Sequence, residues 1–558
     1  VQADGRSFFR EYSDFIAQLA PKMRGKFWEA SDIACRYRFN TDIPRLLVIF
    51  DHVKSVMTNG QFDQVEVLSN NASWAEPLVQ DPAIPYRLVG RNCSHPFRKG
   101  IARTKSGLRL LLSQARSAAV IWLRGIAARM YIPRTNNQNA GDYLVFKSFA
   151  YINSFNGPYL DPFFAQLPGT LQKRGYQILI LTKIFTDYMK ILQSIRQQNS
   201  FQIFPVEFFL GFRDICKAYF IFLGSRFKLR GEAIWQGSDV SQLINAELRK
   251  AVFGLRLENI VHYFAHRRLL TTVSVRQYIY TFENMPWEKF TLKAIREKTP
   301  APIAIAYQHS VIPQNAANNY VSKFEAPGDY PDIILTTGRI TERLIMNHSS
   351  ARSPKIVAFC ALRYDYLYKI KTPARKVKKE HPTILVALEG VGPAGPLVDY
   401  VVSELRDEPA YDVVFRFHPI LPYEKMTSFI RHDPLKHSHM RISKKKTVVE
   451  DLQECDALIY WGSTVALEGI MYGLPVVHYH MSGYFNFDPL YGLQTNKHTV
   501  ASKGDLSRCL GRIFNVRVED RAKLAKSARK YIEEYFFPVT SARIQGLTEI
   551  LQMKRRDA

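Results

Sequence analysis

Two hydroxyls and a carboxylate stand close together in residues 456–479, DALIYWGSTVALEGIMYGLPVVHY. Ser463 and Thr464 form a polar turn after a short apolar run, and Glu468 follows one helical turn later. A turn of that kind, between the carboxyl end of a strand and a helix N-terminus, offers free N–H groups and a dipole to a phosphate. The carboxylate suits ribose hydroxyls. An ordinary capped α/β unit would use the same residue types. Upstream, residues 415–419 end a strand in His418-Pro419, where the proline fixes the point at which the backbone turns. Glu389-Gly390 ends another strand and faces either a ligand or a domain cleft.

Candidate bases lie further toward the N-terminus. Glu283 follows the strand-like QYIYTF in a loop with Pro286 and Trp287, where partial desolvation beside an aromatic ring would favour proton uptake. His309 ends the next strand, in Tyr307-Gln308-His309-Ser310. Each has a structural alternative, a carboxylate bonded to backbone N–H groups and a hydrogen-bonded core histidine. Asp161, in the aromatic run YLDPFF, either touches a sugar or caps the following helix. Arg363, in Ala361-Leu362-Arg363-Tyr364-Asp365, can pair with a phosphate or carboxylate, cap a helix or bridge two domains.

The elements that must position these residues follow from the apolar pattern. Residues 456–479 read as strand, turn, helix and strand, with Gly473 where a helix C-cap belongs. Residues 45–50 (RLLVIF), 65–68, 143–146, 177–181, 277–282, 303–307, 333–336 and 355–358 read as buried strands of a first sheet. Residues 383–388, 413–417, 457–460 and 476–479 read as a second sheet. Residues 1–43 are helical with aromatic anchors. Residues 184–272 are mostly helical and pack on the first sheet. Residues 107–134 form one or two basic amphipathic helices, with either a solvated basic face or an interfacial one that docks on anionic lipid. Residues 136–142 are a loop.

The chain thus divides into a helical extension (1–43), a Rossmann-like domain with helical insertions (44–371), a Lys/Arg-rich, Pro-flanked linker (372–382), a second Rossmann-like domain (383–537) and a closing helix (538–558). The fold class is α/β, two Rossmann-like domains facing one cleft.

Composition narrows the partners. The chain has 558 residues, enough for two full cores, and its 46% hydrophobic content is that of a globular protein. A formal charge of +26 points to an anionic partner: nucleic acid, a membrane surface or an anionic sugar. No RNA-binding fingerprint, zinc finger or helix-turn-helix accompanies the charge, so nucleic acid ranks last. Six scattered cysteines without a CxxC pair indicate a reducing compartment and no zinc site. No signal peptide and no apolar run long enough to span a membrane are visible.

Residues 467–477, LEGIMYGLPVV, resemble the LEAMAxGxPVV segment of GT-B glycosyltransferases. The resemblance implies a GT-B fold, a nucleotide-sugar donor in the second domain and Glu468 on the ribose. Many retaining members carry a glutamate where this chain has Tyr460, which directs the reading to inversion. Ser463-Thr464 together with Phe417-His418-Pro419 is similar to bacterial capsule and surface-polysaccharide transferases, the CMP-Kdo, CMP-sialic acid and CDP-polyol types. In those enzymes the histidine contacts the donor phosphate. Residues 361–365 resemble a GxPRxD element of the CDP-polyol group, and His309 a loop histidine of its first domain.

The expectation is therefore an inverting, metal-independent transferase with no cofactor beyond its donor. It would move a CMP-activated acidic sugar such as Kdo to a bacterial surface polysaccharide or lipid-linked precursor. It would work in the cytoplasm, peripherally on the inner face of the membrane. Glu283, His309 or Asp161 would serve as base. His418, Pro419, Ser463, Thr464, Glu468, Glu389, Gly390 and Arg363 would hold the donor. A UDP- or other NDP-sugar transferase, a CDP-polyol phosphotransferase and a non-catalytic glycan-binding scaffold of the same fold are the alternatives.

Overall fold

The computed structural model describes residues 5–37, 41–59, 96–133, 142–351, 354–369, 379–481 and 485–552. The strand expected at 65–68, most of the 136–142 loop and most of the linker lie outside these residues.

Apolar, β-branched runs flanked by polar turns build two fully parallel sheets. The first contains β1 (Tyr143–Ala150), β2 (Gln177–Ile184), β3 (Gln202–Pro205), β4 (Val275–Thr281), β5 (Ile303–Tyr307), β6 (Ile333–Thr336) and β7 (Lys355–Ala358), in the order β7-β6-β5-β4-β1-β2-β3. The second contains β8 (Thr383–Ala387), β9 (Asp412–Arg416), β10 (Met440–Ile442), β11 (Ala457–Tyr460), β12 (Val476–Tyr479) and β13 (Lys497–Val500), in the order β10-β9-β8-β11-β12-β13. Ile303–Tyr307 and Ala457–Tyr460 are buried along their whole length, as central strands covered on both faces must be. The chain folds as two Rossmann-like α/β domains with N-terminal helical additions.

Strand order reverses between β1 and β4 in the first sheet and between β8 and β11 in the second. Such switch points open a crevice at the carboxyl ends of the strands, where α/β sheets take their ligands.

Helices tie the two halves together. In α1 (Gly5–Gln18), Phe8 and Phe9 place their rings 6.0 and 5.0 Å from Phe485, beyond the second sheet's fifth strand. The long helix α8 (Val518–Tyr535) gives Ala528, Ile532 and Tyr535 to the core beneath the second sheet. The last helix, α9 (Ser541–Gln552), crosses back and buries Ile544, Leu547 and Leu551 in the first core.

One local expectation is corrected, and two are refined. Residues 45–50 are not a strand. They belong to a helix, α2 (Ile43–Asn59), in which Ile43, Leu47 and Phe50 are buried at helical spacing. A short continuous apolar run fits a buried strand and a helix face equally well, and here the flanking length decides for the helix. The region 184–272 also contains the edge strand β3, whose Pro205 sits at its end, where no ladder N–H is needed. Residues 107–131 are the second part of one helix, α3 (Pro96–Tyr131).

Candidate active site

In the first sheet the switch point presents Glu283. The residue leaves β4 two positions past the strand end, and its backbone is held from both sides. Glu283 N–H donates to Glu288 Oε1 at 3.0 Å, and Asn284 N–H to Glu288 Oε2 at 3.0 Å. Asn318 Nδ2 donates to Glu283 O at 2.7 Å. Glu288 lies on α6 (Pro286–Arg296) and is fully buried, which pushes its carboxyl up to about 8. Glu288 thus holds the backbone N–H groups at the start of this loop. The Glu283 side chain keeps 38% exposure and faces His309, with Oε1 3.8 Å from Nε2.

His309 ends the neighbouring strand β5 and packs edge-on against Phe163 at 4.6 Å. Burial, and after it the Arg363 charge, push its imidazole down to about 3. It is neutral at physiological pH and a weak proton acceptor.

Asp161 is buried under this surface. Its Oδ1 accepts from Ser148 Oγ, Phe163 N and Phe164 N at 2.8–2.9 Å, and its Oδ2 from Tyr159 Oη at 2.9 Å. These contacts fix the loop that carries Phe163. Desolvation raises the Asp161 pKa, and the four hydrogen bonds oppose the rise.

The second sheet brings its residues together at its own switch point. Gly462 N–H, after β11, donates to Glu389 Oε1, after β8, at 2.6 Å, so one carboxylate ties both lips of the crevice. His418, after β9, lies over Gly390: a Cβ at Gly390 would stand 2.7 Å from His418 Nδ1. Ile420 N–H donates to His418 Nδ1 at 3.2 Å, which leaves the proton on Nε2 as a donor. Partial burial lowers the His418 pKa and favours this neutral form. Pro419 is exposed at the end of this turn.

Ser463 is 8% exposed and Thr464 half-buried at the start of α7 (Val465–Met471). That helix has seven residues, so its dipole is short. Glu468 is buried and accepts from the Tyr366 hydroxyl, and burial raises its pKa. Tyr460 donates to Asp488 Oδ1 at 2.7 Å in the core.

Arg363 connects the two groups. It sits in the short helical segment Leu362–Tyr368 that leaves the first sheet. Tyr307 Oη donates to Cys360 O at 3.0 Å and accepts from Leu362 N at 2.9 Å, which anchors the segment on β5. Tyr364 stacks on Phe536 at 4.2 Å, which anchors it on the chain just after α8. Arg363 is exposed, its guanidinium lies 5.4 Å from the Phe163 ring centroid, and its charge acts on both His309 and Glu468.

Sequence reasoning missed an aromatic surface beside Glu283. Phe149 stacks on Phe185 at 5.5 Å, Phe163 meets Phe149 edge-on at 5.4 Å, and Phe185 is half exposed. Such rings offer flat apolar faces to a sugar. The available signal was an aromatic residue at or just past the ends of β1 and β2. Among the described residues no group of three His, Cys, Asp or Glu side chains could hold a metal ion.

The Gly390 contact gives a test. Gly390→Ala is expected to push the His418 ring out of place and lower nucleotide affinity about tenfold, as His418→Ala would, with little change in thermal stability. Calorimetric titration of both variants checks this; wild-type affinity in Gly390→Ala would remove His418 from the site.

No protein-family model matches the sequence, and no curated protein matches it. Solved structures similar to this chain include the glycotransferase of kitacinnamycin (TM-score 0.42, 11% identity, covering 73% of this chain and 98% of that one). Acinetobacter baumannii MurG is similar at TM-score 0.41 and 11% identity, covering 74% of this chain and 99% of that one. A UDP-GlcNAc 2-epimerase from Neisseria meningitidis, bound to UDP-GlcNAc, is similar at TM-score 0.43 and 9% identity, covering 73% and 99%. Likeness at this level does not bear on activity.

Proposed function

We propose that the protein is an inverting glycosyltransferase that binds a nucleotide-sugar donor at the second sheet and an acceptor hydroxyl at the first. The observation that carries the reading is Arg363, an exposed cation over the Phe163 ring whose charge reaches both His309, the partner of Glu283, and the Glu468 carboxylate. In this reaction Glu283 takes the proton of the acceptor hydroxyl. The acceptor oxygen bonds to the anomeric carbon from the face opposite the leaving group. The carbon–oxygen bond to the donor phosphate breaks, and the electron pair stays on the phosphate. His418 Nε2–H, the Ser463 and Thr464 hydroxyls and Arg363 stabilise that developing charge. Glu468 accepts from the ribose. The step needs no metal ion.

The preferred donor is a CMP-activated acidic sugar such as Kdo, passed to a bacterial surface polysaccharide or lipid-linked precursor. A His-Pro strand end with the Ser-Thr pair supports a cytidylate, and the +26 charge supports an anionic sugar. Titration calorimetry with CMP, CDP, UDP and GDP is expected to show binding of the cytidine nucleotides. Tight binding of UDP or GDP with no response to CMP or CDP would overturn the donor choice.

A further inference from the structure

The helix α3 carries apolar side chains on two faces, one packed on the first core and one turned to solvent. Its fully buried positions, Gly107, Gln114, Gly125 and Ala128, are small or polar, and Leu110, Leu111 and Ile121 pack beside them, partly buried, against the first core. A Cβ at Gly125 would stand 2.8 Å from Glu207 O, and Gln114 Oε1 accepts from Leu257 N at 2.9 Å. Its outward stripe is large and apolar. Leu108, Leu112, Leu123 and Met130, spaced at about whole helical turns, are 58%, 63%, 57% and 76% exposed.

A second helix, α4 (Phe212–Leu223), extends this face. Trp122 of α3 meets Phe212 edge-on at 5.8 Å, and the Tyr219 hydroxyl bonds Leu111 O at 3.4 Å, so the two helices lie side by side. Phe212 and Phe220 are 63% and 71% exposed. Scattered surface leucines are common, but a continuous stripe of this kind marks a docking surface.

Charge selects the partner. The sequence of α3 holds eight Lys or Arg and no Asp or Glu. Arg124 and Arg129 turn inward to the Ile184, Phe208 and Leu210 carbonyls. Among the described side chains of the two helices, the outward cations are Arg109 and Arg116 on α3 and Arg213 and Lys217 on α4. The one acid of α4, Asp214, is buried against Arg268. Among the described residues no helix is long and apolar enough to cross a membrane.

We propose that α3 and α4 form a face that docks in the plane of an anionic lipid bilayer, with the leucines and phenylalanines in the acyl boundary and the four cations at the headgroups. Arg124 ties α3 to the last residue of β2, next to Phe185, so the docked face runs alongside the aromatic surface at the first sheet. The inference stands apart from the transferase reading, because vesicle binding requires no nucleotide.

The test is co-sedimentation of the full chain with phosphatidylglycerol–phosphatidylcholine vesicles and with pure phosphatidylcholine vesicles. Two variants accompany it, Leu112→Ser/Leu123→Ser/Phe220→Ser and Arg109→Glu/Arg116→Glu/Arg213→Glu/Lys217→Glu. All these side chains face solvent, so both variants should keep the wild-type circular dichroism and melting temperature. The wild type is expected to sediment with the anionic vesicles only, and each variant to partition at least about tenfold more weakly. Equal partition into both vesicle types, no partition by the wild type, or wild-type partition by the variants would overturn the proposal. So would a wild-type dimer, free of vesicles, that the apolar variant converts to a monomer.

Discussion

Glu283→Gln is expected to cut turnover by about two to four orders of magnitude while nucleotide affinity stays nearly unchanged. Glutamine keeps the size of the side chain and removes its basicity. The backbone of the loop is fixed by Glu288 and Asn318, which the substitution does not touch, so a misplaced side chain is not a competing cause. His309→Ala is the control. Its imidazole, pushed down to about 3, is a poor base at neutral pH, and its loss should act through packing under Glu283, roughly tenfold or less. Near-normal turnover in Glu283→Gln beside an inactive His309→Ala that still binds nucleotide would move the base to His309. Asp161 ranks below both, because its oxygens already accept four hydrogen bonds inside the loop.

Arg363→Met should be nearly as damaging. Methionine retains the apolar stem, and the segment stays anchored by Tyr307 and by stacking of Tyr364 on Phe536. What disappears is a cation next to the charge that builds on the leaving phosphate. Loss of one such preorganised donor lowers kcat by about 10²–10³-fold. Because the charge is largest in the transition state, kcat should fall more than KM rises. A rise in KM with kcat unchanged would mean that Arg363 binds the donor uniformly and takes no part in the chemical step.

Most of the parallel strands were legible because fully buried strands write continuous apolar runs bounded by turn residues. The same signal failed at 45–50, where a helix face presents an equally continuous run, and at β3, a four-residue edge strand between helices. Strand ends named Glu283, His309, His418 and Ser463, since a residue just past a parallel strand must lie at the sheet's carboxyl edge. Their mutual arrangement was not legible. That Glu288 takes the structural bonds beside Glu283, that Gly390 makes room for His418, and that Arg124 and Arg129 turn inward all depend on contacts between segments far apart in the chain. Periodicity reports which residues share a face, but not which neighbour that face meets.

The most direct test of the account is release of nucleotide from a panel of CMP-, UDP- and GDP-sugars incubated with the purified chain, with and without a glycan acceptor. The account predicts slow release from a cytidylate donor without acceptor, acceleration by acceptor, and loss of both in Glu283→Gln and Arg363→Met. A protein that binds nucleotide or glycan yet releases nothing from any donor, with or without acceptor, would contradict it and leave a binding scaffold of the same fold.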